Sequence, residues 1–168
     1  MDDRAVVSRQ LGREPRAFRR VVVRCPWGAP AVTEQDPYDA DGAPFPTTYY
    51  LTCPHLVAAV SRIEASGGVE RWSEGAARDD DLRHDLERAT SEQAATRTRL
   101  AAGRTGRDRG ASLGSGIGGS RNPLQLKCLH AHVAYALANP GYLLGERVLA
   151  EIDDPWPQHA CCSGCALI

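Results

Sequence analysis

The chain has 168 residues, 42% of them hydrophobic and 24% charged, with a net charge of −1, which is one ordinary domain with enough apolar residues for a core. These totals exclude a collagen-like, wholly disordered or polybasic protein. No stretch approaches the roughly 18 to 20 uninterrupted apolar residues of a membrane span, and the start, MDDRAVVSRQ, lacks the basic-then-apolar order of a secretory signal, so the sequence predicts a cytoplasmic chain with no membrane partner.

Nineteen of the twenty basic residues are Arg, and they cluster: seven Arg against three acids in 1–24, and six Arg plus Lys127 against Asp108 in 97–127. Residues 25–92 carry thirteen acids and five Arg. Arg forks suit phosphate and carboxylate partners, yet mixed faces that neutralise one another explain the same pattern without a ligand. A nucleic-acid partner is disfavoured further because no aromatic residues interleave the Arg blocks. A protein partner is left open.

Residues 2–11 read as a short helix, with Asp2 and Asp3 at its N-terminus and Gly12 and Pro15 ending it. Phe18 to Cys25 is β-branched and strand-like, Cys25-Pro26-Trp27-Gly28 turns the chain, and Ala31 to Glu34 returns. Asp41-Gly42 and three prolines mark a loop, after which Thr47 to Cys53 is the best strand of the chain. The period then changes. Pro54 suits the first helical position, and Leu56, Val57, Val60 and Ile63 fall at helical spacing up to Gly67-Gly68. Val69 to Ala77 gives another turn or two. Asp79 to Ala102 reads as a long polar helix with only Leu82, Leu86 and Leu100 as large apolar residues, hence an exposed arm. Residues 103–123, rich in Gly, Ser and Arg, read as a mobile linker. Leu124 to Asn139 resumes as an amphipathic helix, and a short helix follows near Glu146 to Ile152. The expected fold is α+β: a small antiparallel sheet of two or three strands packed with helices, one domain over 1–152 with the polar arm and linker at 79–123, and a cysteine-rich tail over 153–168.

The six cysteines divide. Cys25 and Cys53 each end a strand and open a turn, the place where zinc knuckles put thiolates, and Cys128-Leu129-His130 sits near a helix start. Cys25, Cys53, Cys128 and His130 therefore form a candidate Cys₃His zinc site, with His55 and His132 in reserve; the competing reading is of small buried hydrophobes at element ends. Cys53 at a helix N-terminus also suits a nucleophile with His55 or His130 as base. Gly114-Ser-Gly116-Ile-Gly118-Gly119 satisfies G-x-G-x-x-G, but no strand precedes it, and it reads as linker composition. In the tail, Cys161, Cys162 and Cys165 include a true C-x₂-C, and Cys165 to Ile168 has the form of a prenylation box.

The strings RQLGREPR (9–16), VVVRCPWGAPAV (21–32), DGAPFPTTYYLTCPHLVAAVSRIEASG (41–67) and LKCLHAHVAYALANPG (126–141) resemble family 501 of the domains of unknown function, a bacterial family with no established activity. The resemblance implies a cysteine at Cys25, a cysteine or histidine at Cys53, and the Cys-Leu-His unit at Cys128 and His130. Such interchange of Cys and His suits zinc ligands better than buried hydrophobes. The chain departs from the pattern at Tyr135, where histidine is frequent, and at SRNPLQ in the linker. The combined expectation is a structural-zinc binding or regulatory module, against a zinc- or cysteine-dependent hydrolase or transferase, or an Arg-mediated phosphate or nucleic-acid binder.

Overall fold

A computed structural model describes residues 2–156; the tail cysteines Cys161, Cys162 and Cys165 lie outside the described residues. Helix α1 (Asp3–Leu11) leads into a sheet of β1 (Phe18–Arg24), β2 (Pro30–Gln35) and β3 (Tyr49–Leu51), followed by α2 (Pro54–Ala65), α3 (Gly68–Arg78), α4 (Asp80–Ala101), α5 (Leu129–Ala138) and α6 (Leu143–Leu149). The fold is α+β, a three-stranded antiparallel sheet in the order β1-β2-β3 packed against helices. No helix among the described residues is long and apolar enough to cross a membrane.

Local chemistry sets most boundaries. Asp2 accepts from the Arg4 amide, and Gly12, at φ 65°, closes α1 in the left-handed conformation. Gly28, at φ 82°, turns β1 into β2, its amide bonded to Cys25 O at 2.9 Å. All six residues of β2 are buried, which is the cost of being the central strand. Burial alone would raise the Glu34 carboxyl, but Arg20 at 3.0 Å and Arg19 at 3.3 Å reverse this and hold it below its ordinary value.

The best strand in the sequence pairs over only three residues, because the amides of Thr52 and Cys53 both turn to Ala31 O and Pro54 then starts α2. Val69 to Ala77 belongs to a full helix, α3, and α5 starts five residues later than its apolar pattern suggests. Helix α6 starts earlier than expected, at Leu143, and crosses α5 closely: a Cβ on Gly145 would press on His132 O and lie 2.6 Å from Ala136 Cβ.

Helix α4 is not an exposed arm. Asp79 caps it, and Leu82, Leu86, Ala89, Gln93, Arg97 and Ala101 are buried along one face. Counting only large apolar residues hid that face, since four of those six residues are Ala, Gln or Arg. The segment 103–123, expected to be a mobile linker, is folded onto it. Arg97, fully buried, donates from Nε to Ser112 O (3.1 Å) and from Nη1 to Phe45 O (3.0 Å), so one guanidinium holds this segment and the loop before β3. Gly106 is packed so tightly on the Tyr38 ring that a Cβ there would overlap it, and Ile117 is buried in the core.

His132 of α5 is buried beside Tyr142, with its Nδ1 2.7 Å from the Tyr142 hydroxyl and no partner for Nε2 among the described residues. Burial depresses its pKa to about 3. A histidine with a depressed folded pKa contributes stability that is whole above its unfolded value near 6.5 and shrinks as the pH falls toward about 3. Denaturant unfolding is expected to show stability dropping between pH 6.5 and 4.5, and His132→Gln to flatten that slope; an unchanged slope in the variant would refute the assignment.

Candidate metal centre

Two short pieces of chain build the site. Val57, Ser61 and Glu64 recur at i, i+4 and i+7 on one face of α2, while Cys128 is the N-cap of α5 and His130 lies in its first turn. Glu64, Cys128 and His130 bring one carboxylate oxygen, one sulfur and one ring nitrogen within 4.8 Å of one another, all three residues partly buried. His130 Nδ1 lies 3.2 Å from Glu64 Oε1 and 3.7 Å from Cys128 Sγ.

The other ring nitrogen fixes the chemistry. His130 Nε2 is 3.1 Å from Val57 O and 3.2 Å from Ser61 Oγ. A carbonyl only accepts, so Nε2 carries a hydrogen and donates it, as the outer nitrogen of a metal-bound histidine does. In the neutral ring Nδ1 is then a bare lone pair pointing at a carboxylate. Two acceptors at this separation require a cation between them or on one of them, either a proton or a metal ion. Tetrahedral zinc with bonds of about 2.0 Å to N and O and about 2.3 Å to S has edges of about 3.3 Å (N to O) and about 3.5 Å (N to S). The observed 3.2 and 3.7 Å lie within about 0.2 Å of those edges.

Without a metal the proton takes the place. Burial of the ring disfavours its charge, but the hydrogen bond and charge of Cys128, the Glu64 carboxylate and the Val57 carbonyl outweigh this and raise the His130 pKa to about 9. The site also has an open side. Cys128 and His130 border a cavity of about 490 Å³ whose other walls include Tyr49 and Tyr50 of the sheet, Thr52, and Val57 of α2.

Of the four ligands expected from the sequence, Cys128 and His130 come together. Cys25 and Cys53 are 5% and 1% exposed in the main apolar core, outside the set of donors within 4.8 Å, and neither they nor Cys128 form a disulfide. His55 turns to Asp154 O at 2.6 Å, and His132 faces Tyr142. Glu64 was missed. Its signal was an acid in the last turn of a helix, where the dipole disfavours negative charge, on the face shared with Val57 and Ser61. The glycine-rich string around Gly116 forms a short 3₁₀ turn, Ile117–Gly119, with neither the strand nor the helix of a dinucleotide loop beside it.

Residues 21–150 match a family model described as "Protein of unknown function (DUF501)". No curated protein and no solved structure matches the chain.

Metal-free protein should show the His130 ring titrating near pH 9 by NMR. This group contributes stability that is whole below about pH 6.5 and is lost as the pH rises through 9. Glu64→Gln is expected to move the midpoint down and Cys128→Ser, which removes the larger contribution, to move it down further; a midpoint already near 6.5 in the parent protein would contradict the facing-acceptor geometry.

Proposed function

The chain belongs to the DUF501 family, and from its donor geometry we propose that it is a zinc-binding module, the ion held by Glu64, Cys128 and His130 with the fourth position open toward the cavity. The observation that carries the reading is the His130 ring, its outer nitrogen committed to Val57 O and its inner one set against a carboxylate and a thiol at zinc edge lengths. A carboxylate, a thiolate and an imidazole suit a borderline-soft divalent ion better than calcium or magnesium, which want oxygen donors alone.

Three protein donors and one open position differ from the closed four-ligand site of a purely structural zinc. An ion here accepts a donor from outside and polarises it. No Asp or Glu lines the cavity among the described residues, so no carboxylate stands ready as a general base. That favours a binding or regulatory role over hydrolysis. A thiol nucleophile at Cys53 has little support, since that side chain is 1% exposed. The four-ligand alternative, with Cys25 and Cys53 beside Cys128 and His130, needs both core cysteines to move toward the α5 N-terminus.

Elemental analysis of the purified protein is expected to give about one zinc per chain. Cys128→Ser and His130→Gln should each weaken binding by more than the roughly 10–100-fold that outer-shell losses cost, and Glu64→Gln by a comparable factor. Cys25→Ser should leave the affinity unchanged. Zinc loss in Cys25→Ser with retention in Glu64→Gln would replace this donor set by the four-ligand one, and zinc-free protein that takes up none on titration would end both.

A further inference from the structure

The cavity beside the donors carries information about its occupant. At about 490 Å³ it is within the roughly 300–1,000 Å³ range of small-molecule sites. Its walls are chiefly apolar and aromatic, among them Leu11, Tyr49, Tyr50, Val57 and Ala58. No Lys or Arg lines it among the described residues, which leaves no side-chain cation to neutralise the second charge of a phosphate, and no Asp or Glu lines it to hold an organic cation.

Two features favour a single negative charge on an otherwise apolar ligand. The first turns of α2 and α5, helices of 12 and 10 residues, both border the cavity through Pro54 and Val57 and through His130 and Ala131, so the positive ends of two helix dipoles meet there. Independently, Thr52 lines the same cavity, is 1% exposed, and its Oγ1 has no hydrogen-bond partner among the described residues. A buried hydroxyl without an acceptor costs free energy that a ligand oxygen recovers. A zinc ion balanced by one carboxylate and one thiolate has no remaining net charge, so a monoanion leaves a single negative charge for the two helix N-termini to offset, and a dianion twice that.

We propose that the cavity binds a monocarboxylate with an apolar tail, its head group shared between the open position of the metal and the Thr52 hydroxyl, and its tail laid against Tyr49, Val57 and Ala58. This rests on the zinc reading above for one of its two head-group contacts. It assigns the site a ligand class: a fatty-acid-like or arylalkyl acid in place of a nucleotide, sugar phosphate or amine.

The test is calorimetric titration of the full-length, zinc-loaded protein with octanoate, with inorganic phosphate and octylammonium as the charge controls. Zinc content is measured on the same sample. Octanoate is expected to bind and the two controls not to. Thr52→Val, which keeps the shape and removes the hydroxyl, should weaken octanoate about tenfold with zinc content unchanged. Ala58→Phe, which fills the cavity from α2, should abolish binding. Stoichiometric zinc with no octanoate binding, or equal binding in the parent and Thr52→Val, overturns the ligand assignment and leaves the metal reading intact. A protein that holds no zinc overturns both.

Discussion

Helix α5 is buried on nearly every side, and that constraint arranges the rest of the molecule. Seven of its ten residues are buried. A helix so enclosed needs cover from several elements at once, and β3, α6, α2 and the 3₁₀ turn at Ile117–Gly119 all pack on it. Its neighbours are shaped to fit: Gly145 lets α6 approach His132 and Ala136 without a side chain between them. The aromatic ladder Tyr49, Tyr135 and Tyr142, with edge contacts at 5.7 and 5.1 Å, ties the sheet to the end of the helix. At the N-terminus of α5 the first residue, Leu129, is buried, while Cys128 and His130 on either side of it are only partly so.

A second organising contact is the Arg97 guanidinium. A fully buried cation is costly unless its N–H groups are met, and here Nε and Nη1 are met mainly by main-chain carbonyls, Ser112 O and Phe45 O, with Thr48 Oγ1 farther off at 3.4 Å, while Nη2 has no partner among the described residues. Burial pulls its pKa below the ordinary guanidinium value. The acceptors come from segments 15 and 52 residues away in sequence. Without this cation the glycine-rich segment would have little to bury besides Ile117, and α4 would lose its reason to face inward with a polar residue.

The same contact explains what was legible in the sequence. Strands and helices announced by β-branched runs or by Leu and Val at helical spacing, such as β1, β2 and α2, were readable because each buries residues that already look apolar. Helix α4 was readable as a helix but not in its packing, because its inner face uses Gln93 and Arg97. The segment 103–123 looked like linker because the group that orders it is one long-range side chain rather than its own composition. At the site, Cys128 and His130 were visible as a Cys-Leu-His unit. Glu64 was not, because nothing local distinguishes it from a surface carboxylate until α2 and α5 are side by side. Cys25 and Cys53 carried strong local signals, each at a strand end before a proline, yet lie buried in the apolar core.

The Glu64 carboxylate oxygen that faces His130 Nδ1 is the same atom that accepts the Leu129 amide at 2.5 Å, the opening N–H of α5. One atom therefore serves as the cap of a helix and as a donor of the candidate centre. Ligand chemistry and architecture cannot be varied independently at this position. Substitutions at Glu64 and at Cys128 or His130 belong to one energetic unit, whose effects will not sum. Loss of the carboxylate frays the turn that aims the other two donors, so selection acting on either property would register as selection on both.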